Sequence, residues 1–429
     1  MRRASTAVSV IALAIFVLAG CSSPVGPSPA SDLATGGGST EPQRLKVGDR
    51  PLGADQPVIA PANPAQAGAA QRASDAAEQQ LELFLAAWSL VEQEFYDKEA
   101  IDYQKMARGA IKGMLESLGD EGTTFSDAPR TRIAQEDMRG SFDGIGVTVE
   151  MKAKRLTLVS PLDESPGAKA GLRAGDVIVR IDDRDAGDLS LLEAVSLIRG
   201  PRGTAVRLTV EREGEPRPLV FEIIRREINV VPVKAQMMDG KVAYVKITQF
   251  SEPAPTLLQQ KLGELLADKP RAVILDLRNN PGGLLGSAVE VASQFVGDGV
   301  VMYGQQRSAP AEAINAQPGG LATNLPVIVL INKGSASAAE IVAGALQDRG
   351  RGLLLGERSF GKDTVQTVHG LEDGSAISIT VARWYTPKKQ DIAGKGLVPD
   401  VAVPLTEEDV KAGRDPQLER ALARARGGN

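Results

Sequence analysis

Apolar residues in the first well-patterned stretch recur at helical spacing. Leu81, Phe84, Leu85, Trp88, Val91 and Phe95 form one stripe, and Ile111, Met114, Leu115 and Leu118 a second. The spacing predicts helices over residues 76–118, with Gly119 as a stop. From Ser141 the pattern changes to short alternating strands and turns. Strands are expected over 177–181 and 205–210, with a short helix over 189–198 between them. Past Ile228 strand and helix alternate. Residues 242–247, 272–277 and 327–331 read as strands, the last two as continuous apolar runs. Residues 253–266 and 284–295 read as helices, and another begins near Ser337, with Ile341, Val342, Ala345 and Leu346 on one face. This alternation predicts a layered α/β domain. The chain from Glu407 reads as a charged, partly helical tail.

The N-terminal 20 residues follow a different rule. Arg2 and Arg3 precede an apolar run from Val8 to Leu18 that is short for a membrane span. Leu18-Ala19-Gly20-Cys21 resembles the cleavage and lipidation box of bacterial lipoproteins. The expectation is an exported protein anchored to a membrane through lipid on Cys21, facing the periplasm or the cell exterior. Residues 21–75 are rich in Pro, Ala, Gly and Ser and read as a flexible tether.

Composition narrows the chemistry. The chain has 429 residues and a formal charge of −5, so no basic field argues for nucleic acid. It has one histidine, His369, and one cysteine. A His/Cys zinc cluster cannot be assembled, and no metal or cofactor is expected. A nucleophilic hydrolase of this composition must use His369, in a Val-rich segment, or another base. That moves weight to lysine.

Ser337 sits at a strand-to-helix junction after Lys333-Gly334-Ser335. Lys362 follows Phe360-Gly361 in a second turn, with Gln366 four residues on. Ser337-Ala338-Ala339-Glu340 also fits a helix capping box, but Ser335 is expected to be the true cap. Residues 356–362 nearly match a phosphate-binding loop, but Asp363 stands where a Mg²⁺-binding hydroxyl is required.

Three segments carry a resemblance. They are Asp276-Leu277-Arg278-Asn279-Asn280-Pro281-Gly282-Gly283, Gly334-Ser335-Ala336-Ser337-Ala338-Ala339-Glu340 and Phe360-Gly361-Lys362-Asp363-Thr364-Val365-Gln366. With Ala382-Arg383-Trp384-Tyr385-Thr386-Pro387 downstream, the chain resembles the carboxy-terminal processing peptidases, or tail-specific proteases. The likeness implies an α/β core of ClpP/crotonase-like type over 227–406, an inserted PDZ domain over 141–226 and an N-terminal helical region over 76–140. Residues 407–429 remain as a C-terminal tail. It implies a serine endopeptidase with Ser337 as nucleophile, Lys362 as general base and Gln366 orienting the lysine. The oxyanion hole falls on backbone N–H groups of Gly283 and Ala338, with Gly282 equally near the turn. Gly144, Ile145, Gly146 and Val147 would hold a peptide terminus, and Arg199 is a candidate relay from that site to the core. Polypeptides with free C-termini are the expected substrates, and a homo-oligomer or an adaptor protein the further partners. Phe360 and Val365 are expected to bury Lys362. Family members commonly have glycine where Asp363 stands, and Asp363 is expected to point to solvent. The competing reading is a catalytically inactive, membrane-tethered PDZ scaffold.

Overall fold

The computed structural model describes residues 64–427. The lipidation site Cys21, the signal segment and most of the tether lie outside the described residues. The described residues fall into two compact units that divide between Ser117 and Leu118.

The first unit holds α1 (Pro64–Glu94) and α2 (Tyr103–Glu116). Asp102 caps α2 by accepting the Lys105 N–H at 2.9 Å. Trp88 stacks on Tyr103 at 6.2 Å and tilts against Phe84 at 5.9 Å. Leu81, Phe84, Leu85, Val91 and Phe95 of the expected stripe are exposed. The region expected to be helical over 76–140 thus spans the division, since residues from 118 belong to the other unit. There β1 (Thr124–Ser126) pairs with a C-terminal strand, Thr124 opposite Ser378, and leads into α3 (Ala128–Arg139).

The PDZ-like part is hung on a neck. Strands Ser141–Gly144 and Arg226–Asn229 pair antiparallel, so the segment enters and leaves at one place. Between them lies a sheet in which β2 (Val147–Lys152) is an edge, bonded on one side only, to Arg155–Pro161. The helix α4 (Leu191–Ile198) starts in a capping box of Ser190 and Glu193. A separate core of Leu156, Leu158, Ile178, Ile181, Val206, Leu208 and Val210 stabilises this part.

The core domain follows the expected alternation: β3 (Val242–Ile247), α5 (Ala254–Ala267), β4 (Ala272–Asp276), α6 (Leu285–Val296), β5 (Val327–Ile331), α7 (Ala338–Asp348) and β6 (Gly352–Gly356). Strands β3, β4, β5 and β6 are parallel neighbours in one sheet. Alternate residues of each strand take opposite faces. Val273, Leu275, Val327 and Val329 join α5, α6 and α7 in the main core. Ile274, Ile328 and Leu330 face the other way, onto α8 (Pro416–Ala425), whose Ala421 and Leu418 complete a second core. The expected tail thus ends in a packed layer: α8 covers the second sheet face. Between β6 and α8, β7 (Thr364–Gly370) and the long β8 (Ala376–Tyr385) form an antiparallel pair. All three candidate catalytic turns leave the carboxyl ends of β4, β5 and β6, where loops of a parallel sheet converge.

Candidate active site

The turn after β5 is tied down from both sides. Ser335 Oγ donates to the Leu277 carbonyl at 2.8 Å and accepts the Asn332 N–H at 3.0 Å. Ser335 is therefore not the true helix cap expected of it; it staples this turn to the end of β4. Ser337 holds φ 53° and ψ −116°, a conformation that costs an L residue energy and recurs where a nucleophile is thrust out of a strand-to-helix turn. Only the carboxylate half of the capping box is made. Glu340 Oε2 accepts the Ser337 N–H at 2.8 Å, while the Glu340 N–H goes to the Ser337 carbonyl at 2.8 Å. The Ser337 hydroxyl is buried and has no hydrogen-bond partner.

Glu340 is the residue that sequence reasoning passed over as a capping position. It is fully buried, and its two oxygens accept from Ser337 N, Ser359 Oγ, Gly361 N and Lys362 N. One oxygen, Oε2, serves both the Ser337 and the Lys362 main chains. The Ser337 turn and the Lys362 turn are thereby held a single carboxylate apart. Burial pushes the Glu340 carboxyl above its usual range, and the four donors pull it back.

Lys362 is half-buried. Burial lowers its ammonium below the ordinary lysine value, opposed by the charges of Asp120 and Glu340. Trp384, itself buried, donates its indole N–H to the Lys362 carbonyl at 3.0 Å. Val365 packs against the main core, but Phe360 is 62% exposed and does not supply the burial expected of it. Asp363 also departs from expectation. It is buried rather than solvent-facing, and its Oδ2 lies 3.6 Å from Arg383 Nη1. The acids whose charges act on the amine are Asp120, more than 200 positions upstream, and Glu340.

Gln366 lies on β7. Its amide nitrogen donates to Thr364 Oγ1 at 2.8 Å and Thr380 Oγ1 at 3.2 Å; its carbonyl Oε1 is buried without a partner. Thr380 and Gly122 also border this side chain. Their sequence signal was slight: Gly122 follows an acidic turn, and Thr380 is one of many β-branched strand residues.

The third turn, at residues 280–283, folds across Ser337. The Asn280 side chain accepts the Gly282 N–H at 2.9 Å and donates to the Ile247 carbonyl at 2.8 Å. A Cβ on Gly282, at φ 106°, would meet Ser337 Cβ at 2.9 Å and Ala338 N at 3.1 Å. A Cβ on Gly283, at φ 145°, would meet the Phe250 carbonyl oxygen at 2.3 Å. Gly282 thus spends its N–H on Asn280. Neither the Gly283 nor the Ala338 N–H donates a hydrogen bond among the described residues. Beneath this turn Asp276 grips Arg278 at 2.7 Å and accepts Tyr244 Oη at 2.7 Å. Arg278 reaches on to Asp415 at 2.8 and 2.9 Å, ahead of α8. No sequence rule marked Asp415, which is 137 positions away.

The expected peptide loop is distributed over two environments. Gly144 ends the neck strand opposite Arg226. Ile145 is buried in the PDZ core, Gly146 holds φ 68° against Ser165, and Val147 begins the edge strand β2. Arg199 lies over the Phe142 ring at 4.0 Å and pairs with Glu136 at 3.0 Å and Asp137 at 2.9 Å on α3. Among the described residues no His/Cys/Asp/Glu cluster suits a metal ion. His369 is exposed on β7, and no helix is long and apolar enough to cross a membrane among the described residues.

A family model described as peptidase family S41 matches residues 241–403, and one described as a PDZ domain matches residues 158–212. The chain is 40% identical over 314 residues to a carboxy-terminal-processing protease of Bartonella bacilliformis, a match covering 72% of each chain. It is 35% identical over 338 residues to the carboxy-terminal processing protease CtpA of Bacillus subtilis, covering 79% of this chain and 72% of that one. Among solved structures, an S41 protease from Bacteroides fragilis aligns with a TM-score of 0.52 over 79% of this chain and 96% of its own, at 17% identity, a likeness of fold alone.

Proposed function

Since the chain belongs to the carboxy-terminal processing proteases, PDZ-containing serine peptidases of family S41, we propose that it cleaves polypeptides with a Ser337–Lys362 dyad and recognises substrate C-termini through its PDZ domain. One observation carries the dyad: the unpartnered Ser337 hydroxyl stands in a strained turn that Glu340 Oε2 joins directly to the Lys362 main chain.

The chemistry follows from that arrangement. Lysine is a base only when neutral, and burial favours its neutral form. Lys362 Nζ takes the proton from Ser337 Oγ as the oxygen attacks the scissile carbonyl. The tetrahedral oxyanion meets the N–H groups of Gly283 and Ala338, the latter at the positive end of α7. Gly282 is unsuited to this role because its N–H is already donated. Lys362 then passes its proton to the leaving amine, and the acyl-serine is hydrolysed by water activated the same way. The carbonyl of Gln366 offers the ammonium an acceptor and a direction. The core that holds these groups is of ClpP/crotonase-like type on this reading.

At the PDZ domain, the open edge of β2 can take an extended peptide as an added strand. With Ile145 in the core, main-chain N–H groups at residues 144–147 would hold the terminal carboxylate. Arg199 spans from this loop to α3, so a bound terminus that competes for its guanidinium would loosen the Glu136 and Asp137 pairs. Lipid on Cys21 and a tether over residues 21–75 would place the enzyme on the outer face of a membrane. The exposed stripe of α1 suits a contact with a second copy or an adaptor.

The test is digestion of an unfolded polypeptide by the purified enzyme. Cleavage must be lost in both Ser337→Ala and Lys362→Ala, with folding intact by circular dichroism. Residual cleavage equal to wild type in either variant would remove the dyad. Loss of the membrane-bound fraction in Cys21→Ser checks the anchor.

A further inference from the structure

We propose that Asp120 is a positioning residue of the dyad: its carboxylate is the counter-charge to Lys362, and through Thr380 it sets the direction of the Gln366 amide. The assignment rests on Lys362 being the base.

The geometry starts with β1. Its pairing with β8 brings residues 120–123 beside Thr380. Thr123 Oγ1 donates to Asp120 Oδ2 at 2.5 Å and accepts the Thr380 N–H at 3.1 Å. The Thr380 hydroxyl accepts from Gln366 Nε2 at 3.2 Å, which leaves its one proton for the Asp120 carboxylate beside it. This order of protons turns Gln366 Nε2 toward Thr380 and leaves Oε1, buried and unpartnered, for a donor from the reaction side. Gly122 closes the arrangement: a Cβ there would meet Gln366 Nε2 at 2.5 Å and Thr380 Oγ1 at 2.6 Å.

Two acids act on the Lys362 amine, Asp120 from this loop and Glu340 from α7. Glu340 is committed to four donors that fix the two turns. Asp363 is paired with Arg383 and is not among the charges acting on the amine. Burial alone would raise the Asp120 carboxyl. Its bonds from Thr123, Thr380 and the Gly122 and Thr123 N–H groups more than offset that, so it stays ionised. An anion held there favours the ammonium that forms when Lys362 removes the Ser337 proton. That is the service a triad carboxylate gives an imidazolium.

The experiment uses detergent-solubilised full-length enzyme and the pH dependence of kcat/KM on an unfolded polypeptide. Cleavage rises with pH as Lys362 loses its proton. In Asp120→Asn the acidic limb moves to lower pH, so that roughly three- to tenfold more of the plateau activity survives on that limb. Asp120→Glu restores the wild-type limb. Thr380→Val keeps the charge, so its limb stays in place while kcat falls and KM does not change. An Asp120→Asn limb that coincides with wild type overturns the proposal, because a merely structural residue would not move it. If Asp120→Asn does not fold, Gly122→Ala decides: it must lower kcat with the limb unmoved, and a wild-type kcat overturns the positioning role. A limb that persists in Lys362→Ala would instead sink the dyad, so the two failures are distinguishable.

Discussion

The proposed nucleophile and the proposed base are built in different ways. Ser337 is set by main-chain conformation and short-range bonds: a strained φ, Ser335 stapled to β4, and Glu340 three residues on. Lys362 has its main chain fixed as firmly, by Glu340 and Trp384, but the charge state of its amine is set from afar. Burial pulls it one way, while Asp120, from a loop before β1, and Glu340 pull it the other. Damage near Ser337 should therefore abolish the reaction at every pH, whereas damage around Lys362 should change the pH at which it runs.

The largest effect is expected at the proposed oxyanion turn. Gly283→Ala must push the turn off Phe250, and loss of one oxyanion donor should lower kcat by about 10²–10³ without displacing the acidic limb. Steady-state kinetics across pH would show it; a displaced limb would break the division between the halves. Glu340→Gln should hurt both halves at once. Its amide cannot accept from all four donors, so stability should fall by roughly 1–3 kcal/mol for each buried donor left unpaired, with kcat reduced alongside. Urea titration with activity measured in parallel would detect the joint loss.

Asp415→Ala should cost about 1–3 kcal/mol of stability, because Arg278 loses its partner on α8. Burial raises the Asp415 carboxyl, but the Arg278 guanidinium and the Leu418 N–H lower it further, leaving it below its unfolded value. Its stabilisation is thus present above the unfolded carboxylate value of about 4 and is lost as pH falls through the lower folded one. Melts at neutral and acid pH should show wild type and Asp415→Ala converging in acid. The smallest effect is expected at Asp363. Arg383→Ala breaks a 3.6 Å pair with a largely exposed guanidinium and should cost less than about 1 kcal/mol, leaving the acidic limb in place. A moved limb would mean that Asp363 does act on the amine.

Local patterns carried much of the design. The apolar runs of β4 and β5 and the faces of α5 to α7 were legible because strand and helix periods act over a few residues. Ser337, Lys362 and Gln366 stood out as candidates by their types in glycine-bounded turns and by resemblance. Asp120, Thr380 and Asp415 were not, since each matters only through a partner brought near by the sheet. Asp363 misled for the same reason: adjacency to Lys362 in sequence says little when the turn carries its side chain toward Arg383. The charged segment after Glu407 read as a tail because Ala421 and Gln417 carry no strong apolar signal, yet both are buried on the sheet.

The account depends on Lys362 being able to sit uncharged beside Ser337. Direct titration of the Lys362 side chain by heteronuclear NMR, assigned by its loss in Lys362→Met and recorded in the folded Ser337→Ala enzyme, tests this. One lysine signal should titrate below the ordinary lysine value of about 10.4, and lower still when Asp120→Asn is added. A Lys362 signal that titrates with the surface lysines would contradict the account.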